Sequence, residues 1–116
     1  MLNITDHQLD ALEPSELQRY VAQLTREMND SAARLWPSGA QRPFKSTDIA
    51  PLVDWFRHYG FETEYDIARG VESITVFRVD LERAGIRAIV ENRDLTAARR
   101  AEILQKAALR EYAAWA

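Results

Sequence analysis

The stretch from Asp54 to Phe77 constrains the fold more than any other part of this sequence. Gly60 interrupts it, and a glycine just past a helix commonly ends that helix because it takes a left-handed conformation without steric cost. Apolar residues recur at helical spacing from Tyr65 onward, which predicts a second, longer amphipathic helix. The β-branched run at 74–79 is compatible with a strand, but the helical period around it favours a helix. We expect the rest of the chain to pack around these two helices.

The second helix of this pair has a recognisable beginning. Thr63 can cap it, because its hydroxyl can accept a hydrogen bond from the backbone N–H three residues later, at Asp66. Gly70 costs about 1 kcal/mol relative to alanine inside a helix, so we expect it to mark a close helix crossing. The residues assigned to the broad apolar face of this helix are Tyr65, Ile67, Ala68, Val71, Ile74, Thr75, Phe77 and Leu81.

The flanking segments predict more helices, of unequal length. Pro14 suits a first helical turn, where its missing N–H costs nothing, and an apolar stripe then continues to Leu35. Two prolines and a glycine without any period mark residues 36–45 as a loop. Thr96 caps a last helix rich in alanine, leucine, arginine and glutamate. The other predicted helices are a short one opened by the capping-box pair Thr5 and Gln8, one over 48–59 capped by Ser46, Thr47 or Asp48 with Pro51 in its first turn, and a short one over 86–91.

Length and composition set the fold class. The chain has 116 residues, of which 47% are hydrophobic, so it is large enough to bury one core without disulfides or metal and too small for two. We therefore expect an all-α fold, with residues 1–116 forming a single compact bundle of five to six helices. Because the predicted helices differ greatly in length, an orthogonal arrangement is favoured over a regular four-helix bundle.

Charge and composition remove several classes of function. The net charge of −3 at pH 7 is the opposite of the basic footprint of a nucleic-acid-binding protein. No apolar run approaches the length of a membrane span, and the first ten residues lack the basic and apolar regions of a leader, so we expect a cytoplasmic location and no membrane partner. The absence of cysteine removes thiol chemistry. The glycines are dispersed and metal-binding motifs are missing, so we predict no cofactor and no metal.

One pair of residues could support catalysis. Asp54 and His58 stand four apart on a predicted helix, so they can share a face, and a carboxylate beside an imidazole can orient a general base. No glycine-flanked serine and no cysteine accompanies them. His58 also lies near the predicted end of its helix, where a protonated imidazole suits the negative end of the helix dipole. An enzyme is therefore disfavoured.

The sequence also predicts a candidate protein-binding surface, made of acidic residues and exposed aromatic residues. Residues 61–91 carry seven acids against four arginines, which is typical either of solvated helix faces or of a surface that docks on a basic partner. Most aromatic residues are expected in the core, but one or two left exposed near the loop 36–45 would be anchors of the kind that dominate protein interfaces. The candidate partner-binding residues are Trp36, Phe44, Glu62, Glu64, Asp66 and Glu72.

Three short segments carry a family resemblance. In chain order they are YGFETEYDIAR at 59–69, ITVF at 74–77 and AIVENRDLTA at 88–97. Together they resemble a group of small helical bacterial proteins encoded beside type VI secretion spike, tip and effector genes. That group has a helix ending in YG(I/F), a capped T-E-x-D helix start, a hydrophobic MFVFG segment and A-x-x-I-L-x-D-x-x-L before the last helix. This chain departs from it at Arg78, where glycine is frequent, and at 85–87, where a tryptophan is typical.

The resemblance implies a cytoplasmic accessory protein and transfers no catalytic residue. One interpretation is an immunity protein, a stoichiometric inhibitor that neutralises a cognate secreted toxin by occlusion, with the acidic helices over 62–82 and the loop 36–45 as its contact surface. A second interpretation is an adaptor that holds an effector for secretion. A third, from another class, is a small enzyme that uses Asp54 and His58.

Overall fold

The computed structural model describes residues 14–36, 43–78 and 84–115, except for the side chains of residues 84, 111, 112, 114 and 115. Within these ranges the chain forms five α-helices of 8 to 22 residues around one hydrophobic core. The prediction of an all-α bundle of unequal helices is confirmed. In chain order the helices are α1 (Pro14–Leu35), α2 (Ser46–His58), α3 (Glu64–Thr75), α4 (Ala84–Glu91) and α5 (Ala97–Trp115).

The first helix has the limits and the buried face that its sequence predicts. Tyr20 is the first buried residue of this face, and its hydroxyl donates a hydrogen bond of 3.0 Å to the backbone carbonyl of Glu64. Burial, with a smaller contribution from the charge of Glu64, raises the pKa of Tyr20 above its ordinary value, so the hydroxyl stays protonated and keeps donating. The bond ties α1 to the first residue of α3. The buried apolar residues of α1 are Tyr20, Val21, Leu24, Met28 and Ala32.

The start of α2 differs from the prediction. The helix begins at Ser46, and Lys45 is the N-cap in place of the three candidates at 46–48. The backbone N–H of Lys45 donates to the carboxylate of Asp48 at 2.8 Å, so this acid stabilises the helix start from inside the first turn. The earlier start places Pro51 in the second turn and not in the first. Pro51 is exposed, so the carbonyl that loses its helical donor at exposed Thr47 can bind water.

The third helix begins as predicted but ends early. The hydroxyl of Thr63 accepts a hydrogen bond of 3.2 Å from the backbone N–H of Asp66, which confirms the predicted cap. The helix stops at Thr75, whereas the sequence predicts that it continues through the run 74–79 to Leu81. Arg78 ends the turn with a φ of 58°, in the left-handed region that favours glycine.

The contact between Arg78 and Trp36 compensates for this strained backbone. The guanidinium carbon of Arg78 lies 4.3 Å from the centroid of the indole ring, a favourable cation–π geometry. This contact therefore contributes free energy that offsets part of the cost of the left-handed backbone at Arg78.

Gly70 lies at a close crossing of α2 and α3, as its sequence context predicts. A Cβ atom at Gly70 would lie 2.6 Å from Cζ of Phe56, well inside van der Waals contact. Phe56 is fully buried at the centre of the core. The two helices therefore approach this closely only because residue 70 has no side chain.

The last two helices lie close to their predicted positions. α4 begins at Ala84, two residues before the predicted start, so Gly85 lies inside the helix. The backbone N–H of Arg99 donates to the hydroxyl of Thr96 at 3.1 Å, which confirms that cap. The predictions for Thr5 with Gln8, for loop residues 37–42 and for Leu81 lie outside the described residues. None of the described helices is long and apolar enough to cross a bilayer.

A buried arginine joins the ends of three helices. Arg100 is 4% exposed, and its guanidinium donates to the carbonyl oxygens of Tyr59 at 2.6 Å, Val90 at 2.6 Å and Leu95 at 3.1 Å. These carbonyls lie at the end of α2, in the last turn of α4 and just before α5. The guanidinium also lies 4.8 Å from the ring centroid of Phe61. Burial, followed by the charge of Arg93, lowers the pKa of Arg100 from its usual value.

Candidate functional site

A polar groove of about 190 Å³ lies where α1, α3 and α5 meet. It is large enough for one side chain of a partner. Apolar atoms make up the larger part of its accessible wall, and its polar groups include two carboxylates, a hydroxyl, an amide and a guanidinium. The residues that line this polar groove are Glu27, Met28, Ser31, Tyr65, Ala68, Arg69, Glu72 and Gln105.

Helical periodicity explains why these residues share one surface. Tyr65, Arg69 and Glu72 follow each other at spacings of four and three in α3, so their side chains lie on one helix face. Glu27 and Ser31 are four apart in α1 and lie on one face for the same reason. α3 packs on α5 more extensively than on any other helix, and this packing brings Gln105 to the groove.

Arg69 is fixed by its neighbours and forms a rigid side of the groove. Its Nε and one terminal nitrogen both donate to the amide oxygen of Gln105, at 3.3 Å and 3.0 Å. Its guanidinium carbon lies 5.1 Å from the ring centroid of Tyr65. These contacts join α3 to α5 and hold the tyrosine ring at the rim.

Glu72 is the half-buried carboxylate of the groove. Its Oε2 accepts a long hydrogen bond of 3.4 Å from the hydroxyl of Ser31, which itself accepts one of 3.3 Å from Arg34. Burial raises the pKa of Glu72, and the nearby charge of Glu27 adds to this effect, while the hydrogen bond from Ser31 and the charge of Arg34 oppose it. The net rise means that the groove disfavours the charged form of Glu72. A cationic group that entered the groove would stabilise this carboxylate.

Replacing Glu72 by glutamine is expected to stabilise the fold at neutral pH. Because the pKa is raised in the folded state, the carboxylate is disfavoured there, and the stability of the wild type falls as pH rises through the pKa of Glu72. The difference between variant and wild type should therefore be present at pH 7 and disappear in acid. Urea unfolding from pH 3 to pH 8 measures this, with Glu16→Gln on the exposed start of α1 as the control. A variant less stable than the wild type at pH 7 would contradict the expectation.

Two exposed apolar side chains lie beside the polar groove. Tyr65 is 45% exposed and Leu109 is 51% exposed, and they are the large hydrophobic residues that the described chain leaves most accessible. Tyr65 belongs to the groove wall. Leu109 stands one helical turn after the groove residue Gln105, so it lies on the same face of α5. The assignment of Tyr65 to the buried face of its helix is thus wrong.

The two aromatic candidates of the sequence, Trp36 and Phe44, are partly buried against the core. The indole nitrogen of Trp36 donates to the carbonyl of Val76 at 2.7 Å. Phe44 packs on the core, and its backbone is held at both polar atoms by the side-chain amide of Asn29, at 3.1 Å and 2.7 Å. Neither aromatic ring lines the polar groove.

The four acidic candidates are spread over different environments. Glu62 is exposed in the connection between α2 and α3, and Glu64 is half-buried at the start of α3. Asp66 is buried, at 8% exposure, so it offers little surface to a partner. Among the six candidates, only Glu72 lines the polar groove.

The two residues considered for catalysis are turned to different neighbours. The carboxylate of Asp54 lies 3.9 Å from a terminal nitrogen of Arg57. The imidazole of His58 is exposed and lies edge-on to the ring of Tyr59, with centroids 4.9 Å apart. Arg93 donates to the backbone carbonyl of His58 at 2.7 Å. In these contacts Asp54 and His58 interact with other surface residues and not with each other.

The sequence contains part of the information needed to find the groove. The spacing of Tyr65, Arg69 and Glu72 identifies a polar side of α3, and Glu27 with Ser31 identifies one on α1. Nothing local in the sequence indicates that these two sides meet, because that depends on how the helices pack. Leu109 is out of register with the buried α5 residues Ala101, Leu104 and Ala108, but spacing alone does not show that it lies beside the polar groove.

The described residues thus form a small all-α bundle with a polar groove that is flanked by two exposed apolar side chains. Comparison of the chain with protein-family models, with curated protein sequences and with solved structures finds no significant match. Among the described residues, no group of three or more histidine, aspartate or glutamate side chains is placed to hold a metal ion.

Proposed function

We propose that this chain is an immunity protein that binds a cognate secreted toxin and inhibits it by occlusion. The contact surface consists of the polar groove and Leu109, and we refer to it as the groove face. The partner contributes a basic side chain to the groove and apolar atoms to Tyr65 and Leu109. The inhibitor acts in a one-to-one complex and performs no chemistry of its own.

The observation that carries this proposal is the grouping of exposed apolar and half-buried acidic side chains on one face. Accessible apolar residues that lie beside one another mark interaction sites more often than isolated ones do. Tyrosine is among the residues that contribute most to binding when a partner buries it. Tyr65 has the further advantage that Arg69 already holds its ring, so little conformational freedom is lost on binding.

The charge of this chain indicates that the partner is basic. The chain has a net charge of −3, and Glu72 lies half-buried close to Glu27. A lysine or arginine of the partner would stabilise the carboxylate of Glu72, and opposite net charge would accelerate the encounter of the two proteins. The resemblance to proteins encoded beside type VI effectors supports a secreted toxin as this partner.

Reversing the charge at Glu72 is expected to abolish protection. In cells that express the toxin encoded beside this chain, the wild type restores growth and Glu72→Lys does not. Purified proteins should show a loss of affinity of about 30-fold or more, the effect of removing a hot-spot contact. Calorimetric titration measures the affinity, and Tyr65→Ala tests the neighbouring aromatic contact.

The matched control is Glu16→Lys, which makes the same change of charge at an exposed position of α1 outside the groove. It should bind and protect like the wild type. Equal loss in both variants would mean that only net charge matters and would reject the groove face. Binding to a secretion-tip protein without protection would favour the adaptor interpretation, and an activity lost on His58→Ala would favour an enzyme.

A further inference from the structure

A buried positive charge without a counter-ion lies where α2, α4 and α5 meet. Arg100 is 4% exposed, and no carboxylate of the described residues forms an ion pair with it. Its guanidinium donates only to backbone carbonyls, which are dipoles and carry no net charge. Because buried charges in proteins are usually paired with an opposite charge, this arrangement indicates a place for an anion.

One nitrogen of this guanidinium lies beside the unfilled side-chain position of Gly60. The three carbonyls use Nε and Nη1 of Arg100, and Nη2 has no acceptor among the described residues. Nη2 lies 3.5 Å from the position that a Cβ atom would take at Gly60. Apart from the neighbours of Gly60 in the chain, no other described atom lies within 4 Å of that position. The N–H donors of Nη2 are therefore next to space that the described chain does not fill.

A second guanidinium, that of Arg93, is held at the same helix end. Arg93 donates to the backbone carbonyl of His58 at 2.7 Å, and Arg100 donates to the next carbonyl, that of Tyr59, at 2.6 Å. The nearest acid in sequence, Glu91, accepts a hydrogen bond of 3.0 Å from the hydroxyl of Tyr59 and forms no ion pair with either arginine. Two like charges are thus held close together, and an anion that contacts both would be attracted by both.

Electrostatics supports this geometry. Burial is the main cause of the lowered pKa of Arg100, and the positive charge of Arg93 lowers it further. A bound anion would offset both effects, because it supplies the opposite charge that the site lacks.

We propose that a phosphate group binds beside Gly60, between the guanidinium groups of Arg93 and Arg100. A phosphate group carries about −1.5 to −2 charges near neutral pH, enough to balance both arginines. Planar guanidinium groups also match the geometry of phosphate oxygens. None of these three residues belongs to the groove face, so this inference goes beyond the proposed function and does not depend on it.

NMR titration of the full chain with inorganic phosphate tests the proposal, with chloride adjusted to hold the ionic strength constant. The Nε–H of Arg100 and the backbone amide of Gly60 should shift and reach saturation at millimolar phosphate. Arg93→Gln should weaken binding about tenfold or more, the effect of losing a hydrogen bond between charged groups. Arg93 is exposed, so this variant should keep the fold, which circular dichroism verifies.

The matched control is Arg19→Gln, which removes one positive charge at an exposed position of α1 outside this site. It should bind phosphate like the wild type. A parallel titration with glycerol 2-phosphate identifies the source of the phosphate group: tighter binding of the ester supports a phosphate ester as the ligand, and tighter binding of the free ion supports inorganic phosphate. Equal weakening in both arginine variants, or no saturating shift of Arg100 and Gly60 with either compound, would overturn the proposal.

Discussion

Replacing Arg100 with methionine is expected to lower the free energy of unfolding by about 3 to 5 kcal/mol, the range for breaking a buried polar network. Its guanidinium donates hydrogen bonds to the backbone carbonyls of Tyr59, Val90 and Leu95. Those at the helix ends lack intrahelical donors, so they would be left without a partner in the core. Methionine matches the length of the aliphatic stem, so lost packing contributes little to the expected effect.

Two variants separate this role from a general effect of charge. Arg99→Met changes the neighbouring arginine, which is exposed and pairs with Glu102, and it should alter stability by no more than about 0.5 kcal/mol. Arg100→Lys keeps the charge but has one ammonium in place of a planar fork, so it should remain strongly destabilised. Urea unfolding followed by circular dichroism measures all three. An Arg100→Met protein within about 1 kcal/mol of the wild type would contradict this role, since a single hydrogen bond is already worth about that much.

Replacing Gly70 with alanine is expected to destabilise the protein by about 2 kcal/mol, although alanine is the better helix former by about 1 kcal/mol. The new methyl group would lie 2.6 Å from Cζ and 2.8 Å from Cε1 of Phe56. Phe56 is fully buried, so its ring cannot move aside without displacing other core residues. The steric cost therefore exceeds the gain in helix propensity.

A double mutant identifies the cause. Phe56→Leu alone leaves space in the core and is destabilising, but the same space accepts the methyl group of Gly70→Ala. The two changes together should cost less than their sum by about 1 kcal/mol or more, the coupling expected of residues in contact. Gly85→Ala is the control, because a Cβ there meets no atom within 4 Å and alanine should be neutral or slightly stabilising. Additive losses in the double mutant would contradict a direct clash.

Features of the fold that depend on neighbours in sequence were predictable. The apolar stripe of α1, the caps at Thr63 and Thr96 and the helix end before Gly60 all follow from residues within a few positions of one another. The close crossing at Gly70 was predictable for a related reason, since glycine inside a helix is unfavourable unless something compensates for it. The starts of α2 and α4 differ from the prediction by two residues each, whereas α3 ends at Thr75, at least six residues before the predicted end.

Features that depend on packing between distant helices were not predictable in the same way. Arg99 and Arg100 are adjacent in an alanine-rich helix, and nothing local indicates that one is exposed while the other binds carbonyls of three segments. Tyr65 has the spacing of a core residue but lies at the rim of the polar groove. Of the acidic candidates, Glu72 is in the groove only because α1 lies opposite α3.

Hydroxyl-radical footprinting of the complex with the cognate toxin tests the proposed contact surface most directly, because it reports the solvent exposure of individual side chains. Tyr65 and Leu109 are exposed in the isolated chain and should oxidise readily. On addition of the toxin, oxidation of both should fall strongly, while that of Trp55 and Tyr59 on α2 and its C-cap stays unchanged. Unchanged oxidation of Tyr65 and Leu109 in a complex that forms and inhibits, with protection elsewhere, would contradict the groove face as the binding surface.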